Sequence, residues 1–528
     1  MKNLLARINK SRTMGVAAFL ISLSYFLSRL LGLFRDRLLA TNFGVSAQTD
    51  AYTAAFRIPD FLFTLIVSGA FAVSFIPVFI GYLEKKKQDE AWEVANSILN
   101  ILLVVVGVAS VLAFIFAVPL VKLLAPGFDP YRTQLTVNIT RIMLITPIFF
   151  VLSSVFGAIQ QSFNRFLIYA MASLFYNIGI ITGILFFSKF FESNPIYGVA
   201  IGVVVGTALQ ASLQVLGVIG LSYKYKPSFK WKNKGVTKII KLMIPRSIDL
   251  TIDQINWIIQ SAIASGLASG SLSSYYYANN LKNVPVGLFG AAMSTAFFPS
   301  LVRAANSKDK SKLPAAIVRD VSLLMFLVIP SAFIAIVMRG YIVRILFGFG
   351  DQATADTLGF LAGSIVAQSL LFMVARVFYS LEDTKTPLFV SIGTIIFNVA
   401  LSIPLSKMFG VAGLGLALSI SGLVEILVLF VLLRIKMGDY GVKSISKSAL
   451  KIMLASLAMS AFMYTAVKYW FPLYKNNVGF SQLAPQFTLI CIIGLAIYYL
   501  AAKVLNVHEV RTVNKIVKRS IGKVVHRG

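Results

Sequence analysis

The sequence predicts an all-α polytopic membrane protein, and three observations carry that prediction. Of its 528 residues, 57% are hydrophobic and only 13% charged, and a mean hydropathy of +0.81 lies outside the range of soluble globular chains. Fourteen apolar runs, each near the roughly 20 residues that cross a bilayer, follow one another along the chain. The connections between them alternate between basic and charge-poor.

The first run, about 14 to 34, follows the basic start MKNLLARINKSRTMG. It is long and lacks a small-residue cleavage site, so it reads as a retained helix rather than a signal peptide. Helices are then expected at about 50–82, 92–121, 135–161, 167–188 and 196–222. After a basic stretch come 239–266, 272–302, 314–337, 357–381, 386–406 and 411–435, with a final pair at 447–470 and 485–505. The even-numbered connections carry EKKKQ, YKYKPSFKWKNKGVTKIIK, RAANSKDKSK and RIKMGDYGVKSISKSALK, whereas the odd-numbered ones include LAPGFDPY, FFESNPIYG and ASGLASGSLSS. By the positive-inside rule both termini face the cytoplasm. The formal charge of +29 is then mostly topology, which argues against a nucleic-acid binder. One cysteine, Cys491, and two histidines, His508 and His526, supply no disulfide framework, zinc site or Cys/His catalytic pair.

DAYTAAFRIPDFLF (50–63) and SYYYANNLKNVPVGLF (274–289) echo one another if a gap is allowed. The echo suggests two six-helix halves in parallel repeat. The expected organisation is an N-terminal lobe at 1–222, a basic cytoplasmic linker at 223–241, a second lobe at 242–436, and helices 13 and 14 with a basic tail at 437–528. The tail from Lys503 has seven Lys or Arg against one Glu and reads as a solvated segment near anionic lipid.

Polar residues recur inside the apolar runs at helical spacing. The first run carries Arg29 and Asp36 seven residues apart, with Arg35 to one side. The second places Asp50, Arg57, Thr64 and Ser68 in one narrow sector, and the seventh does so with Asp249, Asp253, Asn256 and Gln260. A charge at bilayer depth costs about 2.5–3.5 kcal/mol on the insertion scale, so such residues face a bundle interior or a wet cavity. Arg35 and Arg37 also suit interface anchors that snorkel to headgroups. Asp50 also suits a partner for Arg57, and the seventh-run carboxylates suit either a buried hydrogen-bond network or a cation or proton site. Arginines lining a cavity match an anionic substrate, because the guanidinium fork takes phosphate oxygens in pairs.

Several motifs together resemble the MurJ (MviN) lipid II flippases of the MOP transporter superfamily: SRLLGLFRD (28–36), TDAYTAAFRIPD (49–60) with GAFAVSFIPVF (69–79), LAPGF (124–128), FNRF (163–166), DQINWIIQSAIASGLASGSLSSYYYANNL (253–281) followed by PVGLFG, and RVFYSLEDTKTP (376–387). The resemblance runs from about 14 to 505. It implies two six-helix lobes in a V plus two further helices that form a groove for the lipid tail. The implied activity is no enzymatic reaction but movement of undecaprenyl-pyrophosphate-linked disaccharide-pentapeptide across the inner membrane by alternating access. Carried over by position, the pyrophosphate-binding arginines fall on Arg29 and Arg35, with Asp36 beside them and Asp50 as the essential aspartate of helix two. Arg57, Asn280 and Lys282 complete the candidate substrate site. Where many members have an arginine pair in helix two, this chain has Phe63 and Thr64, and where they have an arginine in helix eight it has Asn280. The family's sodium-site carboxylates fall on Gln260 and Ser402, with Asn398 retained, so Asp249 and Asp253 become the candidate cation or proton ligands. The resemblance implies no cofactor beyond coupling to Na+, H+ or membrane potential, and a monomer whose partners are the lipid substrate, membrane lipids and wall-synthesis proteins, with no nucleic acid. The alternatives are an O-antigen or drug exporter of the same superfamily, a membrane glycosyltransferase, for which the loops are too short, and a non-transporting scaffold of wall synthesis.

Overall fold

A computed structural model describes residues 14–67, 70–309, 311–348, 350–474 and 479–511. Every regular element among them is helical. Twelve helices among the described residues are long and apolar enough to cross a membrane, and Met14–Phe43 and Lys234–Ser265 are further helices of 30 and 32 residues. The chain divides into two compact units, Met1–Ser273 and Ser274–Gly528.

In the first unit the helices are α1 (Met14–Phe43), α2 (Ala47–Ala55), α3 (Arg57–Ile66), α4 (Ala70–Glu84), α5 (Gln88–Ile115), α6 (Ala117–Leu124), α7 (Pro130–Met143), α8 (Thr146–Ser162), α9 (Phe166–Leu185), α10 (Ile196–Gly217) and α11 (Lys234–Ser265). Helix α1 runs well past the expected end near 34. It stops only where Gly44 adopts a left-handed φ of 63° and its N–H closes on the Ala40 carbonyl at 2.9 Å, a glycine C-cap. Arg29 and Arg35 therefore sit well inside a helix rather than at its frayed end. The expected helix at 50–82 is interrupted at Phe56, between α2 and α3, and residues 68 and 69, between α3 and α4, lie outside the described residues. Pro59 has no N–H for the Ala55 carbonyl and its ring crowds the preceding turn, so the ladder is interrupted around Phe56.

Two kinds of packing hold this unit. Gly179 and Gly183 of α9 face Gly202 and Gly206 of α10, and a Cβ on Gly183 would come within 2.7 Å of Gly202 Cα. Small residues four apart let the two backbones touch, which replaces the missing hydrophobic drive between helices in lipid. On α4, Phe71, Phe75 and Phe79 stack at 5.0 Å intervals and continue into Trp92 at 5.4 Å and Phe163 at 5.8 Å from Trp92. The basic linker is pinned along α5: Tyr223 and Tyr225 donate to Asn96 and Asn100, Asn100 donates to the Ser228 carbonyl, and Lys230 pairs with Glu93. Helix α11, which opens the expected second lobe, packs on α3 and α4 of the first unit.

The second unit holds α12 (Ser271–Pro285), α13 (Ala292–Ala305), α14 (Lys312–Val337), α15 (Arg339–Phe347), α16 (Gln352–Ser380), α17 (Lys385–Phe409), α18 (Val411–Met437), α19 (Val442–Thr465) and α20 (Phe480–Val504); the first turn of α12 straddles the boundary. Between α12 and α13 a π-helical segment, Val286–Ala291, follows Pro285, so that one long element carries a local bulge. There a Cβ on Gly290 would lie 2.8 Å from Ser369 Cα of α16; only glycine fits that approach. The core of this unit gathers α14, α16, α18, α19 and α20 around Phe378, Met373, Leu429 and Met459. Tyr498 and Tyr341 bury their rings and donate to the carbonyls of Phe326 and Phe471 at 2.7 and 2.6 Å.

Candidate functional site

The candidate residues are held by different local devices on different helices. The first group lies on α1. Asp36 is 4% exposed and accepts two bonds from Arg35, from Nε at 3.0 Å and Nη2 at 2.7 Å. The third contact of the same guanidinium is Nη1 to Asn177 Oδ1 on α9 at 3.1 Å, and Asn177 in turn donates to Ser28 at 3.3 Å and to the Ser173 carbonyl at 3.1 Å. Arg35 is thus held in one plane by a carboxylate and an amide from two helices. Arg29 is exposed, seven residues before Asp36 on the same helix face. Asn177 was not legible in the sequence, because a lone amide in the run YNIGIITG gives no spacing signal.

The second group centres on Asp50, 1% exposed near the start of α2. Its carboxylate accepts from the backbone N–H of Gly270 at 2.7 Å and of Ser273 at 2.8 Å, and from the Ser273 hydroxyl at 2.9 Å. Asp50 is a cap for the N-terminus of α12 supplied by another helix, the place where a negative charge meets unpaired N–H groups and the positive end of the helix dipole. Arg132 lies 3.7 Å away, paired through Nε with Asp129 at 2.6 Å and stacked over Phe128. The backbone N–H and then the guanidinium of Arg132 hold the Asp129 carboxylate below its usual range. Beside this group the LAPGF turn touches the end of α11, with Gly127 N–H donating to Ser265 Oγ at 3.0 Å. A Cβ on Gly127 would strike the Gly266 backbone.

The expected single polar face through Asp50, Arg57 and Thr64 is therefore divided. Asp50 meets the turn before α12, whereas Arg57 stacks on Trp257 of α11 at 4.4 Å and Thr64 accepts from Gln254 at 3.4 Å. Phe63 packs on Phe150 at 4.9 Å. Ser68 and the side chains of Asp249 and Asp253 lie outside the described residues. Gln260 is buried at 1% exposure.

In the second unit Lys282 is 4% exposed, with Nζ donating to Gln368 Oε1 of α16 at 2.9 Å, and Asn280 is half-buried. Asn398 and Ser402 are buried on α17, where Asn398 donates to Ser421 Oγ of α18 at 3.1 Å. The nearby carboxylate is Glu425, 7% exposed, which accepts from Ser391 at 2.6 Å. It was missed in the sequence because the run GLVEILVLF reads as uniformly apolar around it, although an acid in such a run is itself a signal. Asn398 and Ser402 are neutral, and the described residues of α17 include no carboxylate, so this helix carries no charged oxygen ligand of the kind expected for a sodium ion.

Comparison with known proteins comes down on one side. The family model for "Lipid II flippase MurJ" matches residues 39–487. Among curated relatives, a "Probable lipid II flippase MurJ" of Buchnera aphidicola subsp. Acyrthosiphon pisum is 31% identical over 461 residues, 85% of this chain and 89% of the relative. A "Lipid II flippase MurJ" of Burkholderia cenocepacia is 30% identical over 78% of this chain and 82% of its own length. A solved structure of a lipid II flippase MurJ in an inward closed conformation superposes with a TM-score of 0.74 at 25% identity, covering 91% of this chain and 99% of that one. An inward-facing multidrug MATE transporter of the MOP superfamily shares the fold at a TM-score of 0.64 and 14% identity, covering 80% of this chain and 98% of its own. With a family match spanning residues 39–487 and relatives about 30% identical over most of their length, the chain belongs to the MurJ lipid II flippase family.

Proposed function

We propose that this chain moves lipid II, the undecaprenyl-pyrophosphate-linked disaccharide-pentapeptide, from the inner to the outer leaflet by alternating access, with both termini in the cytoplasm. It is a multi-pass protein of the bacterial inner membrane, and a transporter rather than an enzyme. The observation that carries the reading is the Arg35 group. A guanidinium inside a membrane helix, aligned by Asp36 and Asn177, is pre-organised for a doubly charged pyrophosphate and stays charged at every relevant pH. Arg29, exposed on the Asp36 side of α1, adds a second cation on the same helix. In this reading Asp50 serves the cycle differently. Its bonds to Gly270 and Ser273 tie α2 to the start of α12, and the tie must open for the opposite face to be exposed. No step is assigned to sodium.

The test is a flipping assay with fluorescent lipid II in vesicles containing the purified protein. Arg35→Ala should lower the rate at least about tenfold, and Arg35→Lys should recover little of it, since an ammonium cannot offer the paired fork. A parental rate and parental lipid II affinity in Arg35→Ala would overturn the assignment. For orientation, in a Cys491→Ser background, a cysteine at exposed Ser269 should react with an impermeant thiol reagent on intact cells, and one at exposed Lys226 should be shielded.

A further inference from the structure

A cavity of about 580 Å³ opens at one end of the helices of the second unit, where α14 and α19 begin and the chain leaves α20. That volume lies within the roughly 300–1,000 Å³ of small-molecule sites. Its polar lining is Arg319 and Ser322 of α14, Ser444, Lys447, Ser448 and Lys451 of α19, and Asn506, His508 and Glu509 beyond α20. None of these takes part in the groups described above.

The lining combines three cations with a buried acid. Lys447 and Lys451 stand one turn apart, Lys451 also reaching the Asn506 carbonyl at 3.2 Å, and Arg319 directs Nε to Asp320 at 2.7 Å. Glu509 is 6% exposed. One of its carboxylate oxygens accepts from Ser448 at 2.9 Å, while the other, Oε2, is buried without a hydrogen-bond partner among the described residues. Nor does Glu509 form an ion pair among them, although lysines line the same cavity. The Ser322 hydroxyl is likewise buried and unpartnered. A buried acceptor left without a donor costs about 1–3 kcal/mol. The cavity thus asks for a ligand with both an anionic and a cationic, N–H-bearing end.

A third feature selects the rest of the ligand. Toward the membrane, the face of α19 that carries Lys447 and Lys451 continues through Leu450, Leu454 and Leu457, which are 59%, 47% and 50% exposed. A charged cavity running into an apolar wall at the end of a membrane helix suits a bilayer lipid: headgroup in the cavity, acyl chain along the helix. We propose that this cavity is a binding site for the headgroup of an aminophospholipid, its phosphate on Lys447, Lys451 and Arg319 and its primary ammonium on Glu509. A phosphatidylglycerol headgroup satisfies the cations but brings no cationic N–H to Glu509, and the quaternary nitrogen of phosphatidylcholine has no N–H to donate.

The test uses the full-length protein in neutral detergent, with retention of defined lipids read by native mass spectrometry. Phosphatidylethanolamine should be held at least about tenfold more tightly than phosphatidylglycerol or phosphatidylcholine with the same chains, the effect of one charge-assisted hydrogen bond. The isosteric Glu509→Gln should abolish that preference while leaving phosphatidylglycerol retention unchanged or raised. Lys447→Gln with Lys451→Gln should weaken both lipids, and Lys443→Gln with Lys503→Gln, exposed positions outside the cavity, should weaken neither. An unchanged melting temperature in detergent certifies that each variant is folded. Equal retention of all three lipids by the parent, an undiminished preference in Glu509→Gln, or displacement of the lipid by millimolar inorganic phosphate would each overturn the proposal, the last by marking a soluble-anion site.

Discussion

Arg35 with Asp36 and Asp50 with Arg132 use the same two residue types to opposite ends. In the first group the carboxylate serves the cation: Asp36 pairs with Arg35 at 2.7 Å through two of the guanidinium's donors and Asn177 takes a third, so the fork is oriented, and exposed Arg29 on the same helix face keeps the group net positive. In the second group the backbone serves the carboxylate: two N–H groups and a hydroxyl converge on Asp50, and Arg132 stands off at 3.7 Å. The difference teaches what a charge inside a membrane protein is for. In the proposed function, a cation oriented by its neighbours is prepared for a ligand. A carboxylate whose lone pairs are taken by a helix terminus is a structural latch, and its value lies in being made or broken as a whole.

The largest expected effect follows from that contrast. Asp50→Ala strands the Gly270 and Ser273 N–H groups inside the protein, which costs about 2–5 kcal/mol if neither finds water. Melting in detergent should fall by several degrees, and growth of a strain depleted of its own flippase should not be restored. Arg35→Lys leaves the buried Asp36 a cation to pair with but removes the paired fork, so it should abolish transport while leaving the melting temperature close to the parent's. Should both substitutions lower stability equally, the division between ligand-facing cation and structural latch would fail.

A smaller effect is expected at Asn177. It touches no proposed substrate atom and acts by holding the Arg35 fork in plane, so Asn177→Leu should weaken lipid II affinity by about 1 kcal/mol, the worth of one such bond, roughly fivefold. Asn177→Asp keeps the acceptor that Arg35 uses but adds negative charge against the pyrophosphate. Lower affinity in both variants with an unchanged melting temperature supports positioning; loss of stability in the leucine variant alone would reduce Asn177 to a packing residue.

How much of this was legible beforehand depended on what made the signal. The helices were readable because apolar runs near 20 residues are long and redundant, and the charges of α1 stood out because a membrane helix has a strong expectation to violate. Legibility ended where structure depended on one atom. Pro59 removes a single N–H and interrupts the helix between Asp50 and Thr64. The partners of Asp50 are backbone N–H groups of a turn more than 200 positions away, and no side-chain pattern records them. Asn177, Gln368 and Glu425 each lie alone in an apolar run, so periodicity had nothing to count, although each is a buried polar group that must find a partner. Motif resemblance singled out Asp50 and Arg35, but it could not give their immediate partners, the N–H groups of Gly270 and Ser273 for the one and Asp36 with Asn177 for the other.

The smallest effect tests the latch from its other side. Ser273 contributes to Asp50 twice, through its backbone N–H and through its hydroxyl, and the hydroxyl also bonds the Gly270 carbonyl at 2.9 Å. Ser273→Ala removes only the hydroxyl, leaving Asp50 with both backbone donors, and alanine suits the first turn of a helix. The loss should be about 1 kcal/mol or less, visible as a slight drop in melting temperature with transport retained. A functional defect as deep as that of Asp50→Ala would mean that the hydroxyl, rather than the helix terminus, carries the interaction. Near-parental behaviour, set against the failure of Asp50→Ala, would show that the carboxylate holds α12 by its backbone, which any side chain at 273 leaves in place.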